Sequence, residues 1–185
     1  TNALALGPPP HLKAKNANRF SPAGIPMFYG SRRKETAVAE IIDKSKPNEL
    51  ISVGSFKNAK PLTLIDLTLI PEISIFDLGK SQFYEPSHFL RKFVRSVSQP
   101  IIKDGREHFE YVPTQVVTEY FRYILPQIGG ISVDGIKYKS SIDQLDCYVV
   151  FATQSNCHDE GDLRKETILV LEKNSIETCL VKDCD

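Results

Sequence analysis

The hydrophobic pattern of this chain changes period repeatedly and never settles into a repeat, which restricts the available folds more than any other feature. Residues 35–45 place Ala37, Val38, Ile41 and Ile42 at helical spacing, the mark of a short amphipathic helix. Residues 49–56 alternate Ile51 and Val53 in strand fashion, and residues 62–70 form a β-rich run bounded by prolines. A helix is expected from Pro86 to Ser98, with Phe89, Leu90, Phe93, Val94 and Val97 as its apolar stripe. Another is expected from Thr114 to Leu125, capped by Thr114 and ended by Pro126, with Val116, Val117, Tyr120, Phe121 and Ile124 facing the core. Beyond Gly129-Gly130 the chain reads as β. Residues 131–138, 147–153 and 166–173 are strand-like, Asp134-Gly135 reads as a turn, and residues 155–162 read as a polar loop. Helices and strands in this order lack a βαβ rhythm, so the expected class is α+β.

At 185 residues, with 41% hydrophobic and 25% charged residues, the chain suits one soluble domain with a sizeable core. Residues 1–17, with Pro8 to Pro10 and the basic Lys13 and Lys15, read as a linker or the end of a preceding region; the domain proper is placed at 18–185. Lys+Arg and Asp+Glu both number 23, so no general positive field favours nucleic acid, and no direct nucleic-acid binding is expected. No apolar run approaches the ~20 residues of a membrane helix, and the opening residues lack the pattern of a signal peptide. The expectation is a cytoplasmic protein with no membrane contact.

The cysteines are Cys147, Cys157, Cys179 and Cys184, without a CxxC pair, and reduced thiols are expected. Cys157-His158 lacks the close ligand pairs of structural zinc sites, so no metal is assigned. GxGxxG and GxxxxGK[ST] are both absent, which disfavours Rossmann and P-loop nucleotide sites.

The residues with the most chemical promise lie between Arg19 and Glu40 and between Asp134 and Ser141. Arg19, beside a loop rich in Pro and Gly, carries a planar fork that fits phosphate, though an isolated surface arginine is the ordinary reading. Tyr29 can offer its ring to a flat heterocycle or serve as a core tyrosine. Glu40 has small Thr36 and Ala37 one turn back, where a ligand can approach; its ordinary reading is an exposed pair with Lys44, worth about 0.3–0.5 kcal/mol. Strand alternation places Ile136, Tyr138 and Ser140 on one face, with Lys137, Lys139 and Ser141 on the other. Ser140 has no His-Asp pair near it in sequence, so a positioning hydroxyl suits it better than a nucleophile.

Taken together, Arg19, GIPMFYG (24–30), ETAVAE (35–40), PTQVVTEYF (113–121) and DGIKYKSS (134–141) resemble the RES domain family, over roughly residues 18–171. The family is named for an arginine, a glutamate and a serine, matched here by Arg19, Glu40 and Ser140, with Tyr29 matching an accompanying tyrosine. Ser141 is the alternative to Ser140. The long middle, residues 57–110, looks like that of a larger variant behind an additional N-terminal domain, and the proline run fits that.

The resemblance implies a fold related to ADP-ribosyltransferases and an NAD+-degrading toxin or defence effector. Such an enzyme breaks the nicotinamide–ribose bond, with water or phosphate as acceptor. NAD+ is then the substrate, with no cofactor and no metal, and a helix-turn-helix antitoxin is a candidate partner. On this footing Glu40 stabilises charge on the ribose, Arg19 holds the pyrophosphate, Tyr29 orients the nicotinamide end, Ser140 holds the bound conformation and Tyr138 lines the same wall. The alternatives are an ADP-ribosyltransferase acting on a macromolecule and a non-catalytic interaction module of the same fold.

Overall fold

The computed structural model describes residues 1–42, 45–99, 107–162 and 164–183. Among these, nine short strands run β1 (Phe28–Ser31), β2 (Leu50–Val53), β3 (Phe56–Asn58), β4 (Leu64–Asp66), β5 (Gly135–Lys139), β6 (Asp146–Val150), β7 (Cys157–Asp159), β8 (Leu169–Leu171) and β9 (Glu177–Leu180). The helices are α1 (Ala3–Leu6), α2 (Lys34–Ile41), α3 (Tyr84–Val97), α4 (Glu107–Glu110), α5 (Val112–Glu119) and α6 (Leu125–Gly129). The main sheet has the order β1-β6-β5-β4, with β4 parallel to β5 and the other neighbours antiparallel. A three-stranded sheet (β3-β8-β7) and a two-stranded one (β2-β9) complete an α+β architecture.

Register decides which side chains meet. Tyr29, Val149, Ile136 and Ile65 lie side by side across the main sheet, and Ser31, Cys147 and Tyr138 form the adjacent row. Residues two apart share a face, so both rows look the same way. That face packs on Phe20, Met27, Leu67 and Val97, with Phe93, Val94 and Phe121 at its margins. Full burial of each large apolar side chain stabilises by about 1.5–3 kcal/mol, so this cluster anchors the 20–27 loop and α3 on the sheet. The opposite face begins with Phe28 and Val150 and joins Ala152, Cys157, Leu169 and Phe56. Lys137, on that opposite side, bridges Asp66 at 3.1 Å and Asp146 at 3.4 Å.

Several expectations are corrected. Gly135 is the first residue of β5 and makes no turn: a Cβ there would meet the Val149 carbonyl oxygen at 2.3 Å. The hairpin turn falls later, where Gln144 has φ 60°. The run 62–70 yields only the three residues of β4 before the chain turns away. Residues 157–159, inside the expected polar loop, pair in parallel with β8, and Cys157 and His158 are buried. Near the start of the chain, Ala3 is buried and its amide donates to Asp159 Oδ1 at 2.9 Å.

The helix after Tyr111 departs most from its expected form. Pro126 does not end it. A single π turn over Tyr120–Ile124 leads into α6, with Pro126 in the first turn of that helix. Proline has no N–H and its ring crowds the carbonyl four residues back; a locally widened turn accommodates both. The expected stripe is inverted as well: Val116 is 63% exposed while Thr114, Gln115 and Thr118 are buried. Phe121 alone of that stripe packs against the main core as a partly buried side chain. In α3, Val97 is buried but Phe89 is exposed. Asp43 and Lys44, the continuation of the expected first helix, lie outside the described residues.

Replacing Gly135 by Ala should destabilise the fold by about 1–3 kcal/mol or more, read as a lower urea midpoint, because backbone on β6 blocks the new methyl. Gly79→Ala, whose Cβ would come no nearer than 3.6 Å to Asp77 Oδ1, should stay within about 0.5 kcal/mol of the parent. Equal midpoints for the two variants would contradict this account of Gly135.

Candidate active site

The loop that presents Arg19 is held from two sides. Asn18 and Ser21 exchange backbone hydrogen bonds at 2.8 and 3.2 Å, which closes a tight bend around Arg19 and Phe20. From α5, Gln115 Nε2 donates to the Asn18 carbonyl at 2.9 Å and the Ser21 carbonyl at 3.3 Å, and the Thr114 hydroxyl donates to the Arg19 carbonyl. These bonds explain why the polar side of α5 faces inward: a buried carbonyl without a partner is costly, and Thr114 and Gln115 supply the donors. The Tyr111 carbonyl also lies 2.8 Å from Thr114 Oγ1 and shares its single proton, so Thr114, within the first turn, acts as a loop anchor where a helix cap was expected.

The Arg19 guanidinium donates to the carbonyls of Val97 and, at 2.9 Å, Gln99, at the C-terminal end of α3. A cation suits that end of a helix, where carbonyl oxygens lack partners. A guanidinium has five N–H groups, so these two bonds leave donors over for an anion.

Tyr29 and Tyr138 stand on the core face of the sheet, in the adjacent rows described above. The Tyr29 hydroxyl lies 3.0 Å from Ser21 Oγ, and burial pushes its pKa up to about 12 against the lowering effect of that contact. Tyr138 packs its ring on Phe20, with centroids 4.7 Å apart. Its pKa is raised, first by burial and then by Cys147, Glu40 and Tyr29, with Arg19 opposing them. Both phenols therefore stay neutral and serve as hydrogen-bonding and stacking groups.

Ser140 follows β5 directly and is fully buried, as the alternation of Ile136, Tyr138 and Ser140 requires. Its hydroxyl donates to Glu40 Oε1 at 2.5 Å across 100 residues of sequence, and accepts from the Ile142 amide at 3.1 Å. Glu40 is exposed near the end of α2, whose buried side carries Thr36 and Val38. One turn before Glu40, the Thr36 hydroxyl donates to Asp143 Oδ2 at 2.6 Å, and Asp143 Oδ1 accepts from the Leu145 amide at 3.0 Å. Helix and hairpin turn thus exchange hydroxyl–carboxylate bonds in both directions.

The structure therefore brings Glu40 and Ser140 into contact and selects Ser140 over Ser141 as the serine that reaches the glutamate; Tyr138 shares the face of β5 with Ser140, and the Arg19 loop is tied to Tyr138 through Phe20 and to Tyr29 through Ser21. Chemically, this is an exposed carboxylate held by a buried hydroxyl, beside neutral phenols and a cation. Sequence reading missed Ser21, Gln115 and Asp143, and gave Thr36 and Thr114 other roles, as a small neighbour of Glu40 and as a helix cap. The Thr36–Glu40 and Ser140–Asp143 spacings were visible, but such spacings are commonplace without knowledge that the two segments meet.

A groove of about 500 Å³ runs beside α5, lined by Pro22, Val112, Gln115, Val116 and Tyr120 among others, and none of Arg19, Tyr29, Glu40 or Ser140 lines it. Among the described residues no group of three or more His, Cys, Asp and Glu is placed to hold a metal ion, and no helix is long and apolar enough to cross a membrane. His158 Nδ1 is paired with the Thr167 hydroxyl at 2.9 Å.

Cys147 and Cys157 are buried free thiols, whereas Cys179 is disulfide-bonded, a correction to the expectation of reduced cysteines throughout; Cys184 lies outside the described residues. Burial first, and then the Glu40 carboxylate, pushes the Cys147 thiol up to about 11, and burial pushes Cys157 up to about 12. Raised pKa values mean that folding favours the neutral thiols. That contribution is complete below about 8.5, the ordinary thiol value, and is lost as the pH climbs through 11 to 12. At pH 8 the native protein should therefore show no rapid reaction of Cys147 or Cys157 with a disulfide reagent, while urea should expose both. Fast native labelling of Cys147 would contradict its placement.

Comparison with protein families finds that the model of the RES domain matches residues 6–168. The match takes in most of the stretch read above as a linker. No curated protein and no solved structure matches the chain.

Proposed function

The chain belongs to the RES domain family, and on that footing we propose that it degrades NAD+ by cleaving the nicotinamide–ribose bond, as a glycohydrolase or phosphorylase. The observation that carries this reading is the exposed Glu40 carboxylate, held by the buried Ser140 hydroxyl at 2.5 Å, with Tyr138 on the same face of β5 as Ser140 and the Arg19 loop packed on Tyr138 and Tyr29 through Phe20 and Ser21. As the glycosidic C–N bond breaks, its electron pair leaves with nicotinamide and positive charge builds on the ribose. A carboxylate fixed beside that carbon stabilises the charge more in the transition state than in the substrate. Water or inorganic phosphate then adds to the ribose, giving ADP-ribose and a proton or ADP-ribose phosphate.

In this scheme Arg19 holds the pyrophosphate with the donors not spent on α3. The neutral Tyr29 and Tyr138 rings line the nicotinamide–ribose end, where they add no charge to compete with Glu40. NAD+ is substrate, and no metal or recycled cofactor takes part. The protein acts as a toxin or defence effector in the cytoplasm, with a helix-turn-helix antitoxin as its candidate regulator.

Purified protein incubated with NAD+, with and without phosphate, should release free nicotinamide on chromatography. Glu40→Gln should reduce turnover by at least about a hundredfold with an unchanged circular dichroism spectrum, since removal of one electrostatic stabiliser costs on that order. Arg19→Ala should raise KM and also lower the melting temperature, because it releases the end of α3. Full activity in Glu40→Gln would remove that residue from the chemistry. Label transferred to a protein or nucleic-acid acceptor would favour the transferase, and intact NAD+ throughout would favour the non-catalytic module.

A further inference from the structure

The aim of Glu40 depends on a single proton. A serine hydroxyl has one hydrogen to donate, and two carboxylates lie within reach of Ser140. Glu40 Oε1 receives it at 2.5 Å, while Asp143, three residues further along the hairpin turn, also neighbours the Ser140 hydroxyl. Asp143 is the stronger rival in position, because it belongs to the same turn as Ser140 whereas Glu40 comes from a separate helix.

The rival has donors of its own. Thr36, fully buried on α2, donates to Asp143 Oδ2 at 2.6 Å, and the Leu145 amide donates to Oδ1 at 3.0 Å. Each oxygen of Asp143 thus has a donor other than Ser140, which weakens its claim on the Ser140 proton. The Thr36 hydroxyl is the first cause that holds Asp143 below the usual carboxylate range, ahead of the Leu145 amide and of the Ser140 hydroxyl itself, so Asp143 stays ionised at neutral pH and competes more strongly once Thr36 is removed. Meanwhile the Ile142 amide donates to Ser140 Oγ at 3.1 Å, which uses acceptor capacity on that oxygen and leaves its O–H to be given.

We propose that Thr36 is a positioning residue: by satisfying Asp143 it reserves the Ser140 proton for Glu40 and so fixes the orientation of that carboxylate. Thr36 and Glu40 stand one helical turn apart on α2, so the same helix that carries the carboxylate carries the group that protects its hydrogen bond. The kinetic part of the inference rests on the functional reading above; the structural part does not.

The test uses protein labelled with carboxyl-13C glutamate, the Glu40 resonance being assigned by its loss in Glu40→Gln. Thr36→Val should move that resonance toward its position in Ser140→Ala, Thr36→Ser should leave it at the parent position, and Thr36→Val/Asp143→Asn should return it, since an amide is a weaker rival for the proton. In NAD+ turnover, Thr36→Val should lower kcat roughly tenfold to a hundredfold, the usual effect of losing a bond to a charged group, with KM little changed. In a Ser140→Ala background the same substitution should cost nothing further.

If Thr36→Val does not fold, Thr36→Ala removes the same hydroxyl without an added methyl and is read in the same way. An unmoved Glu40 resonance, or losses that multiply in the double variant with Ser140→Ala, would overturn the positioning role whatever the turnover. A resonance that behaves as described in a protein that never consumes NAD+ would leave the positioning role standing and remove the functional reading.

Discussion

The reciprocal exchange between α2 and the β5–β6 turn is the contact on which the candidate site depends. Thr36 gives its proton to Asp143, and Ser140 gives its proton to Glu40. Each bond joins a buried hydroxyl to a carboxylate, and each crosses between elements roughly a hundred residues apart. A buried hydroxyl without a partner costs about 1–3 kcal/mol, so neither Thr36 nor Ser140 is free to abandon its acceptor. This joins the helix to the main sheet, and it places an acidic group at the edge of the tyrosine-bearing face with its orientation already determined.

The second constraint is the loop around Arg19. A loop with partly buried carbonyls must find donors, and α5 supplies them by turning Thr114 and Gln115 inward. The consequence reaches the surface: Val112, Val116, Tyr120 and Ile124 are left exposed although their spacing resembles a core stripe. Satisfying backbone polar groups here outweighs burying a handful of aliphatic carbons. Arg19 itself is fixed by carbonyls at the end of α3, so the cation is pre-oriented by the same packing that closes the core around Phe20 and Val97.

Much of the site was readable in advance because it rests on local rules. Alternation along residues 136–140 correctly put Ile136, Tyr138 and Ser140 on one face, and helical spacing correctly put Thr36 and Glu40 one turn apart. The errors occurred where a local rule met a distant neighbour. Asp134-Gly135 has the composition of a turn, but the glycine serves a close approach to Val149. Pro126 has the composition of a stop, but a widened turn absorbs it. Cys157 and His158 lie in a polar stretch, yet β8 draws them into a sheet.

By itself, the sequence determined the α+β class, the identities and spacings of Arg19, Tyr29, Glu40 and Ser140, and the family to which they point. These follow from residue type and from periods of two and about 3.6, which are properties of neighbouring residues. The tertiary structure alone decided which side of α5 is inside, which of two adjacent serines meets Glu40, and that Thr36 and Asp143 stand behind that contact. Such choices arise because a hydroxyl has one proton and a carbonyl needs a donor, and the partner that satisfies each is set by packing between segments far apart in the chain.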